Sequence, residues 1–321
     1  MKNEKDKMFE QFFGNMSIEE LEQLDTDFNN ITNITGCIET EELEKRVNKT
    51  APLYTYFKNH NLIKPLGSIV CGYKKDGNVE SQDIAYANLI KYKIQLFSIL
   101  NSKNKASLMN EEIENGHLEI MKAKDKTMIY GSKSNNTTSM IPPKNRKNTK
   151  IKGLFQTAKH VIDLNYKELT FNDINNAFEK ISSTKLENGK YGEPALIIAP
   201  PKLMNDINSI FITEKIKNNE DLTAAPPTLK TQDGNKIPVI SDSNITGDEL
   251  LIIGKDSISL RCLDTLPVLV KYENDDSDEN MFGDSYSLMD CWRFYVKNPS
   301  WVAVIKNIIS RWEPGETVAM C

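Results

Sequence analysis

The sequence predicts a mixed α+β protein, and three stretches support that prediction. Residues 104–131 carry apolar or small side chains at helical spacing, which predicts one long amphipathic helix. Ile90 to Leu96 alternates apolar and polar residues, and Tyr286 to Val296 alternates again, a period typical of strands. Between them, residues 153–254 interleave helical patterns with short buried-strand patterns. At 321 residues, the chain is expected to form more than one domain.

The long helix is the most clearly patterned segment. Roughly 20 residues at about 1.5 Å rise give a rod of about 30 Å, long enough to cross a small domain. Gly131 is the expected C-terminal stop. The pattern alone also fits an ordinary surface helix with one apolar stripe. The residues of that stripe are Ala106, Met109, Ile113, Ile120 and Met121.

Composition places the chain among globular proteins. Hydrophobic residues make up 39% and charged residues 26%, and the net charge of -5 argues against nucleic-acid affinity over the whole surface. No signal-peptide core and no apolar run of about 18 residues is visible, so we expect neither export nor a membrane span. The 5 cysteines are far apart and lack CxxC spacing, so we expect reduced thiols and no zinc site.

Residues 1–62 are polar and contain two candidate helices. Ser17 to Glu20 has capping-box spacing, and Glu41 to Val47 has a second helical pattern. Neither segment could bury a core alone. We therefore expect an arm that lies on the protein's own body or on a neighbouring subunit, or a partly disordered tail.

A long hairpin is predicted from Pro65 to Leu100. Ser68 to Tyr73 is strand-like, Asp76-Gly77 is a strong tight-turn signal, and the alternating segment from Ile90 follows. The tip around Lys74 and Lys75 is too polar to pack in a core. We expect the hairpin to project from the body.

A basic loop follows the long helix, within residues 132–152. Its cations could contact phosphates, although no aromatic residues lie between them to stack on bases. A solvated loop is the alternative. The cations are Lys144, Arg146, Lys147, Lys150 and Lys152.

The middle segment predicts a compact α/β unit. Thr170 to Asp173 caps a helix, and Ala195 to Ala199 is a buried strand. Pro200-Pro201 begins the next helix. A phosphate-binding turn would need glycines where these prolines stand, so a nucleotide site is not expected. The helix after Thr170 has its apolar stripe at Ile174, Ala177, Phe178 and Ile181.

The last third predicts long strands around an acidic segment, residues 273–280. Asp276, Asp278 and Asn280 imitate a calcium loop, but Met281 stands at the turn-glycine position and Ser287 at the bidentate glutamate position. A solvated loop between strands is the better interpretation. From Tyr286, the residues expected to face one way are Tyr286, Leu288, Trp292, Phe294 and Val296.

No catalytic, cofactor or metal site is predicted. His60, His117 and His160 lie in unrelated segments, outside any zinc-ligand spacing. Nucleophile-elbow, dinucleotide and phosphate-loop motifs are missing from the sequence. Carboxylates are plentiful, but the sequence gives no way to choose a catalytic pair. An enzyme therefore has no positive support.

Taken in order, these segments resemble the major capsid proteins of tailed bacteriophages, the Hong Kong 97-type shell fold. That family has an N-terminal arm, an extended hairpin loop, a long spine helix, an axial domain, and a peripheral domain closed by C-terminal strands. The resemblance divides this chain into an arm, residues 1–62; a hairpin loop, 63–102; peripheral residues with the spine helix, 103–152; an axial domain, 153–259; peripheral strands, 260–298; and a return strand with tail, 299–321. The segments that carry it are Lys124 to Gly131, Gly153-Leu154-Phe155, Phe171 to Ile181, Ala195 to Phe211, Pro238 to Gly254, Met281 to Trp292 and Lys297 to Ile305.

The resemblance implies a structural protein of the virion. It would form hexamers and pentamers that close into an icosahedral shell around double-stranded DNA, in the bacterial host cytoplasm. Scaffolding, portal and decoration proteins would be its partners, and DNA contact would be non-specific. The hairpin tip, Lys74, Lys75 and Asp76, and the acidic residues Asp275, Asp276 and Asp278 would lie at subunit contacts.

Two alternatives stay open from the sequence. An encapsulin-type nanocompartment shares the implied fold and encloses protein cargo instead of DNA. A two-domain α/β enzyme with an unrecognised carboxylate site would instead be a small oligomer with one well-formed apolar pocket.

Overall fold

The computed structural model describes residues 41–65, 88–93, 105–131, 151–186, 189–217, 228–230, 235–262, 267–272 and 285–312. The α-helices in these ranges are α1 (Glu41–Thr50), α2 (Pro52–Asn59), α3 (Lys105–Tyr130), α4 (Leu154–Thr157), α5 (Phe171–Ser182) and α6 (Met204–Lys217). The strands are β1 (Ile63–Pro65), β2 (Asn88–Lys93), β3 (His160–Glu168), β4 (Pro194–Ala199), β5 (Thr228–Lys230), β6 (Lys236–Ser241), β7 (Leu250–Gly254), β8 (Ile258–Cys262), β9 (Val268–Tyr272), β10 (Ser285–Val296) and β11 (Val302–Ile309). The predicted mixed α+β class is confirmed.

Two sheets form the framework. The smaller has the order β1-β8-β10-β2, with β9 also paired to β10, so the 12-residue β10 is its central strand. The larger has the order β3-β11-β7-β4-β6-β5. Its β11 runs parallel to β3 and antiparallel to β7. All five residues of β7, Leu250–Gly254, are buried, as expected for a strand covered on both faces.

Helices cover both faces of the six-stranded sheet. Alternate residues of one strand face opposite sides, so Leu196 and Ile198 of β4 join one core while Ile197 and Ala199 join the other. The first core also receives α1, α2, α3 and the five-stranded sheet. The second is closed by α5 and the start of α6. The six-stranded sheet is therefore the middle layer.

The long helix is confirmed with its predicted end. Helix α3 spans Lys105–Tyr130, 26 residues. Gly131 has φ +83°, a conformation that favours glycine, and its N–H donates to Thr127 O at 2.9 Å. The buried apolar residues of this helix include Ile113, Ile120, Met121, Met128 and Ile129.

Two glycines allow close backbone contact at the end of α3. A Cβ on Gly153 would lie 2.2 Å from Gly131 N and 2.4 Å from Tyr130 C. Those neighbours are backbone atoms, so they cannot move aside as a flexible side chain can. The Tyr130 and Phe155 rings stack there with centroids 5.2 Å apart. The Gly-Leu-Phe step after the basic loop is therefore the site where the returning chain packs on α3.

Part of the N-terminal region lies on the protein's own body. Helix α1 confirms the second predicted helical pattern, and Arg46 Nη1 lies 2.6 Å from Glu114 Oε2 on α3. Residues 1–40, including the Ser17 segment, lie outside the described residues. The side chains of α1 and α2 that enter the first core are Leu43, Val47, Leu53, Tyr54 and Phe57.

Only the base of the predicted hairpin is described. Strand β2 confirms part of the alternating segment and pairs antiparallel with β10. Ile63–Pro65 forms a short strand parallel to Leu260–Cys262. Ser68 to Tyr73 and the Asp76-Gly77 turn lie outside the described residues. The projection of the hairpin stays a prediction.

The predicted capped helix and buried strand of the middle segment are confirmed, whereas β3 was not predicted and the helix expected at Pro200 begins at Met204. Thr170 and Asp173 form a reciprocal capping box at the start of α5. The buried strand β4 leads into a 3₁₀ turn, Pro201–Leu203, before α6 begins. Within the described ranges, no helix has the length and apolarity to cross a membrane. The four predicted stripe residues of α5, Ile174, Ala177, Phe178 and Ile181, are all buried.

Candidate functional site at the end of the long helix

Two consecutive charged residues are fully buried near the end of α3. Lys124 and Asp125 both have 0% exposure. Neighbouring residues on an α-helix point about 100° apart, so the two side chains leave α3 in different directions. Each meets partners from a different sheet. Together with Asp242, Asn244 and Asp290 they form what we call the buried polar cluster.

Lys124 ties α3 to the five-stranded sheet. Its Nζ lies 2.6 Å from Asp290 Oδ2 on β10, and the Asp290 side chain is 2% exposed. The ammonium also lies 4.4 Å from the centroid of the Tyr54 ring and 5.5 Å from that of Trp292. Aromatic faces attract a cation, most strongly where water is excluded. The charge is therefore compensated by one carboxylate and two rings.

Cys262 of β8 borders the same ion pair. Burial raises the pKa of its thiol, while the nearby Lys124 ammonium opposes that rise. A thiol with a raised pKa carries little thiolate and is a weak nucleophile. Cys262 therefore behaves as a packing residue beside Lys124.

Asp125 ties α3 to α2 and to the six-stranded sheet. Its Oδ1 accepts the Tyr54 N–H at 2.8 Å, and its Oδ2 accepts a hydrogen bond from Asn244 Nδ2 at 3.0 Å. The same Asn244 amide donates to Thr50 O of α1 at 2.8 Å. One asparagine, placed after β6, thus joins two helices to the sheet.

Asp125 and Asp242 form a buried carboxyl pair. Burial, followed by the charge of Asp242, raises the pKa of Asp125 well above its usual value. The raised pKa favours the protonated form of Asp125, which can donate a hydrogen bond to Asp242. Asp242 Oδ1 accepts the Asn244 N–H at 2.8 Å, while Asp242 Oδ2 has no other donor among the described residues. A proton on Asp125 would remove the repulsion between two carboxylates.

The cluster is suited to fixing positions, not to turnover. Asp125 and Asp242 are both 0% exposed, so no substrate reaches them. Among the described residues, no group of three or more histidine, cysteine, aspartate or glutamate side chains is arranged to hold a metal ion. What the cluster does is fix α3 against α2 and both sheets.

His117 is a second buried titratable group on α3. It is 6% exposed, and burial lowers its pKa to about 4. The imidazole is therefore neutral at physiological pH. The sequence likewise places His117 outside any zinc-ligand spacing.

The predicted contact residues lie mostly outside the described residues. Lys152 is described and exposed, one residue before Gly153. The structure therefore tests neither the subunit contacts nor the basic loop. The predicted residues outside the described ranges are Lys74, Lys75, Asp76, Lys144, Arg146, Lys147, Lys150, Asp275, Asp276 and Asp278.

Sequence reasoning missed the buried polar cluster, although two signals were present. Asp290 has the same strand parity as Leu288, Trp292 and Phe294, which are all buried, so its side chain enters the same core. Lys124 lies four residues from both Ile120 and Met128 on the buried side of α3. Charged residues at both positions could have indicated a buried pair. Asp242 and Asn244 had no comparable signal.

Family comparison places the protein in a class. A sequence model of major capsid proteins matches residues 95–308, more than half of the chain, and the match includes α3, most of both sheets and the whole buried polar cluster. The protein is a major capsid protein, a subunit of a shell built from many copies. The chain belongs to the SU10 major capsid protein family. The resemblance to tailed-phage capsid proteins is confirmed, and the nanocompartment and enzyme alternatives are weaker.

Solved structures similar to this chain include phage capsids and an encapsulin. The Cyanophage A-1(L) capsid asymmetric unit has 14% identity and a TM-score of 0.46, covering 70% of this chain and 77% of that chain. Gordonia phage Cozz has 13% identity and a TM-score of 0.44, covering 68% and 69%. The holo-SrpI encapsulin complex from Synechococcus elongatus has 11% identity and a TM-score of 0.44, covering 72% and 78%. No curated protein sequence matches the chain.

Breaking the Lys124–Asp290 ion pair is expected to lower the free energy of unfolding. Lys124→Met leaves the Asp290 carboxylate buried without its cation, and we expect a loss of about 3–5 kcal/mol in the free energy of unfolding. The double variant Lys124→Met with Asp290→Leu removes both charges and should recover most of that loss. Urea unfolding of the purified chain measures both.

The matched control for Lys124→Met is Lys45→Met. Lys45 forms an exposed ion pair with Glu41, with side chains 67% and 83% exposed, and should contribute under about 0.5 kcal/mol. Equal effects of the two single variants would contradict the assignment of a buried, stabilising contact to Lys124.

Asp242→Asn is expected to flatten the pH dependence of stability. Because the pKa of Asp125 is raised from 3.8 in the folded state, that state keeps a proton which the unfolded chain releases. This stabilisation is complete below about pH 4 and is lost as pH rises through the folded pKa. The amide that Asp242→Asn introduces would donate to ionised Asp125, and the substitution also removes the neighbouring charge. Both effects lower the folded-state pKa of Asp125, so less stability is lost as pH rises.

Urea unfolding at a series of pH values above about 5 measures this slope. Asp248→Asn is the control, since it changes a carboxylate whose side chain is 53% exposed. Parallel stability curves for the wild type and Asp242→Asn would show that the carboxyl pair shares no proton.

Proposed function

We propose that copies of this chain assemble as hexamers and pentamers into an icosahedral shell that encloses double-stranded DNA. The observation that carries this proposal is the match of residues 95–308 to the SU10 major capsid protein family. The division into arm, hairpin loop, peripheral and axial segments belongs to the same proposal. Assembly in the bacterial host cytoplasm, with scaffolding, portal and decoration proteins, completes it.

The geometry of the subunit supports a role in bearing load. Helix α3 has 26 residues, about 39 Å at 1.5 Å per residue. Lys124 connects it to the five-stranded sheet, and Asp125 connects it to the six-stranded sheet through Asn244. A force applied to either sheet is therefore transmitted to α3 without rearranging the core. A thin shell needs subunits of this kind, since each contact between copies is small relative to the whole surface.

The sheet geometry favours a contact between copies for the acidic segment and the hairpin tip. The acidic segment enters β10 at Ser285, whereas the hairpin segment enters β2 at Asn88, which pairs with Trp292. These points are seven residues apart along β10, about 23 Å. Pairing between neighbouring copies would bring the opposite charges of the two segments together.

The basic loop is proposed to contact packaged DNA. Lysine and arginine neutralise phosphates without reading sequence, which suits a shell that must accept any genome segment. Lys152, the described member of this group, is exposed. The contact would weaken as salt concentration rises.

Electron microscopy with nuclease protection tests the proposed function. We expect the purified chain to form capsomers or closed shells, and particles from the native source to hold nuclease-resistant double-stranded DNA. Shells that hold protein and no nucleic acid would favour a nanocompartment. A discrete monomer or dimer under all assembly conditions would overturn the proposal.

Charge reversal at the hairpin tip tests the proposed pairing. The double variant Lys74→Glu and Lys75→Glu places like charges against the acidic segment and should reduce assembly yield at low salt. The same variant should approach the wild type at high salt, where charges are screened. The control is the double variant Lys45→Glu with Lys49→Glu, on exposed positions of α1. Unchanged assembly of the hairpin variant at low salt would exclude this contact.

A further inference from the structure

The β3–β11 strand pair ends in a distorted region with three left-handed residues. Asn165, Tyr166 and Asn307 have φ values of +52°, +59° and +57°. The pairing register shifts between Lys306 and Ile308. Asparagine tolerates this conformation, but a bulky aromatic residue in it is a true outlier. We call this region the Tyr166 bulge.

Hydrogen bonds within the subunit hold the backbone in this form. Asp163 Oδ1 accepts the Asn165 N–H at 2.9 Å and the Asn307 Nδ2 donor at 2.8 Å. Lys306 Nζ lies 3.3 Å from Asp163 Oδ2. These bonds explain how the chain turns at Asn165 and Asn307. They do not explain why a tyrosine stands at the next left-handed position.

The bulge presents apolar side chains among charges that are already paired. Tyr166 is 66% exposed, and Ile309, at the same end of the strand pair, is 47% exposed. Nearby, Arg311 Nε lies 2.7 Å from Glu168 Oε2. An aromatic centre within a rim of compensated charges is the usual anatomy of an interface hot spot.

The bulge also lies at a sheet edge that no other strand covers in the described part of the chain. β3 is the first strand of the six-stranded sheet, and it pairs with β11 alone. Bulges are frequent at edges, where they redirect a side chain and stop uncontrolled strand pairing. A redirected, exposed tyrosine at such an edge indicates a specific partner.

We propose that the Tyr166 bulge is a contact surface for a second copy of this chain. This inference rests on the proposed shell assembly, in which every subunit is surrounded by identical subunits. Within a ring of copies, contacts join unlike surfaces, and in that arrangement the bulge would meet a different region of the next copy. The chain offers apolar surface for it: Ile216, near the end of α6, is 60% exposed. Helix α6 precedes β5 in the chain, and β5 is the strand at the opposite edge of the same sheet.

The substitution Tyr166→Asn separates assembly from folding. Asparagine accepts the left-handed backbone, so the isolated subunit should unfold at the same or a higher temperature than the wild type. Losing the aromatic ring should lower the yield of capsomers and shells about tenfold or more. Tyr166→Phe keeps the ring and should assemble as the wild type does.

Tyr191→Asn is the matched control, since Tyr191 is 56% exposed and lies outside the bulge. Tyr166→Gly is measured beside Tyr166→Asn, because glycine also adopts the left-handed backbone conformation. If one variant fails to fold, the other still tests the contact. Circular dichroism and thermal unfolding establish folding, and light scattering with electron microscopy measures assembly.

The outcomes distinguish this inference from the proposed function. The inference is supported if the wild type assembles, a folded Tyr166→Asn or Tyr166→Gly variant does not, and Tyr191→Asn assembles as the wild type does. Wild-type assembly matched by both Tyr166 variants overturns the inference and leaves the proposed function standing. A wild-type chain that forms neither capsomers nor shells overturns the proposed function and this inference with it.

Discussion

The need to satisfy two adjacent buried polar side chains governs the arrangement of this subunit. Lys124 and Asp125 follow one another on α3 and are both 0% exposed. Their directions differ by about 100°, so one partner cannot serve both. Asp290 from the five-stranded sheet compensates Lys124, while Asp242 and Asn244 accompany Asp125. A shift of α3 by a single residue would separate a buried charge from its partner.

A buried polar cluster of this kind stabilises a fold less than apolar packing of similar volume. It does, however, destabilise every other position of α3 relative to the two sheets. That property fits a capsid subunit. The long helix connects the two sheets, and copies of the chain must present the same surfaces at every position of a shell. The raised pKa of Asp125 and the lowered pKa of His117 both favour neutral side chains in the buried face of α3. Around this fixed centre, glycines at 131 and 153 allow the chain to return against the helix end.

Much of the fold could be predicted because its signals are local. The stripe and stop of α3, the Thr170 capping box, and the buried strand β4 each depend on residues within one or two helical turns or a few strand positions. The buried polar cluster could not be predicted in the same way. Lys124 and Asp290 are 166 residues apart, and Asp125 and Asn244 are 119 apart. Charged residues are usually exposed, so only the helical and strand positions of Lys124 and Asp290 hinted at burial.

By itself, the sequence determined the class of fold, the helices α3 and α5, the buried strand β4 and the resemblance to tailed-phage capsid proteins, because periodicity, capping and turn residues act over short distances. Only the tertiary structure decided that α1 and α2 pack on their own subunit, that five polar residues from distant segments form one buried cluster, and that the pKa of Asp125 is raised. It also decided the left-handed conformation of Tyr166. Each of these depends on contacts between segments far apart in the chain, whose free energies come from burial and pairing that no local pattern encodes.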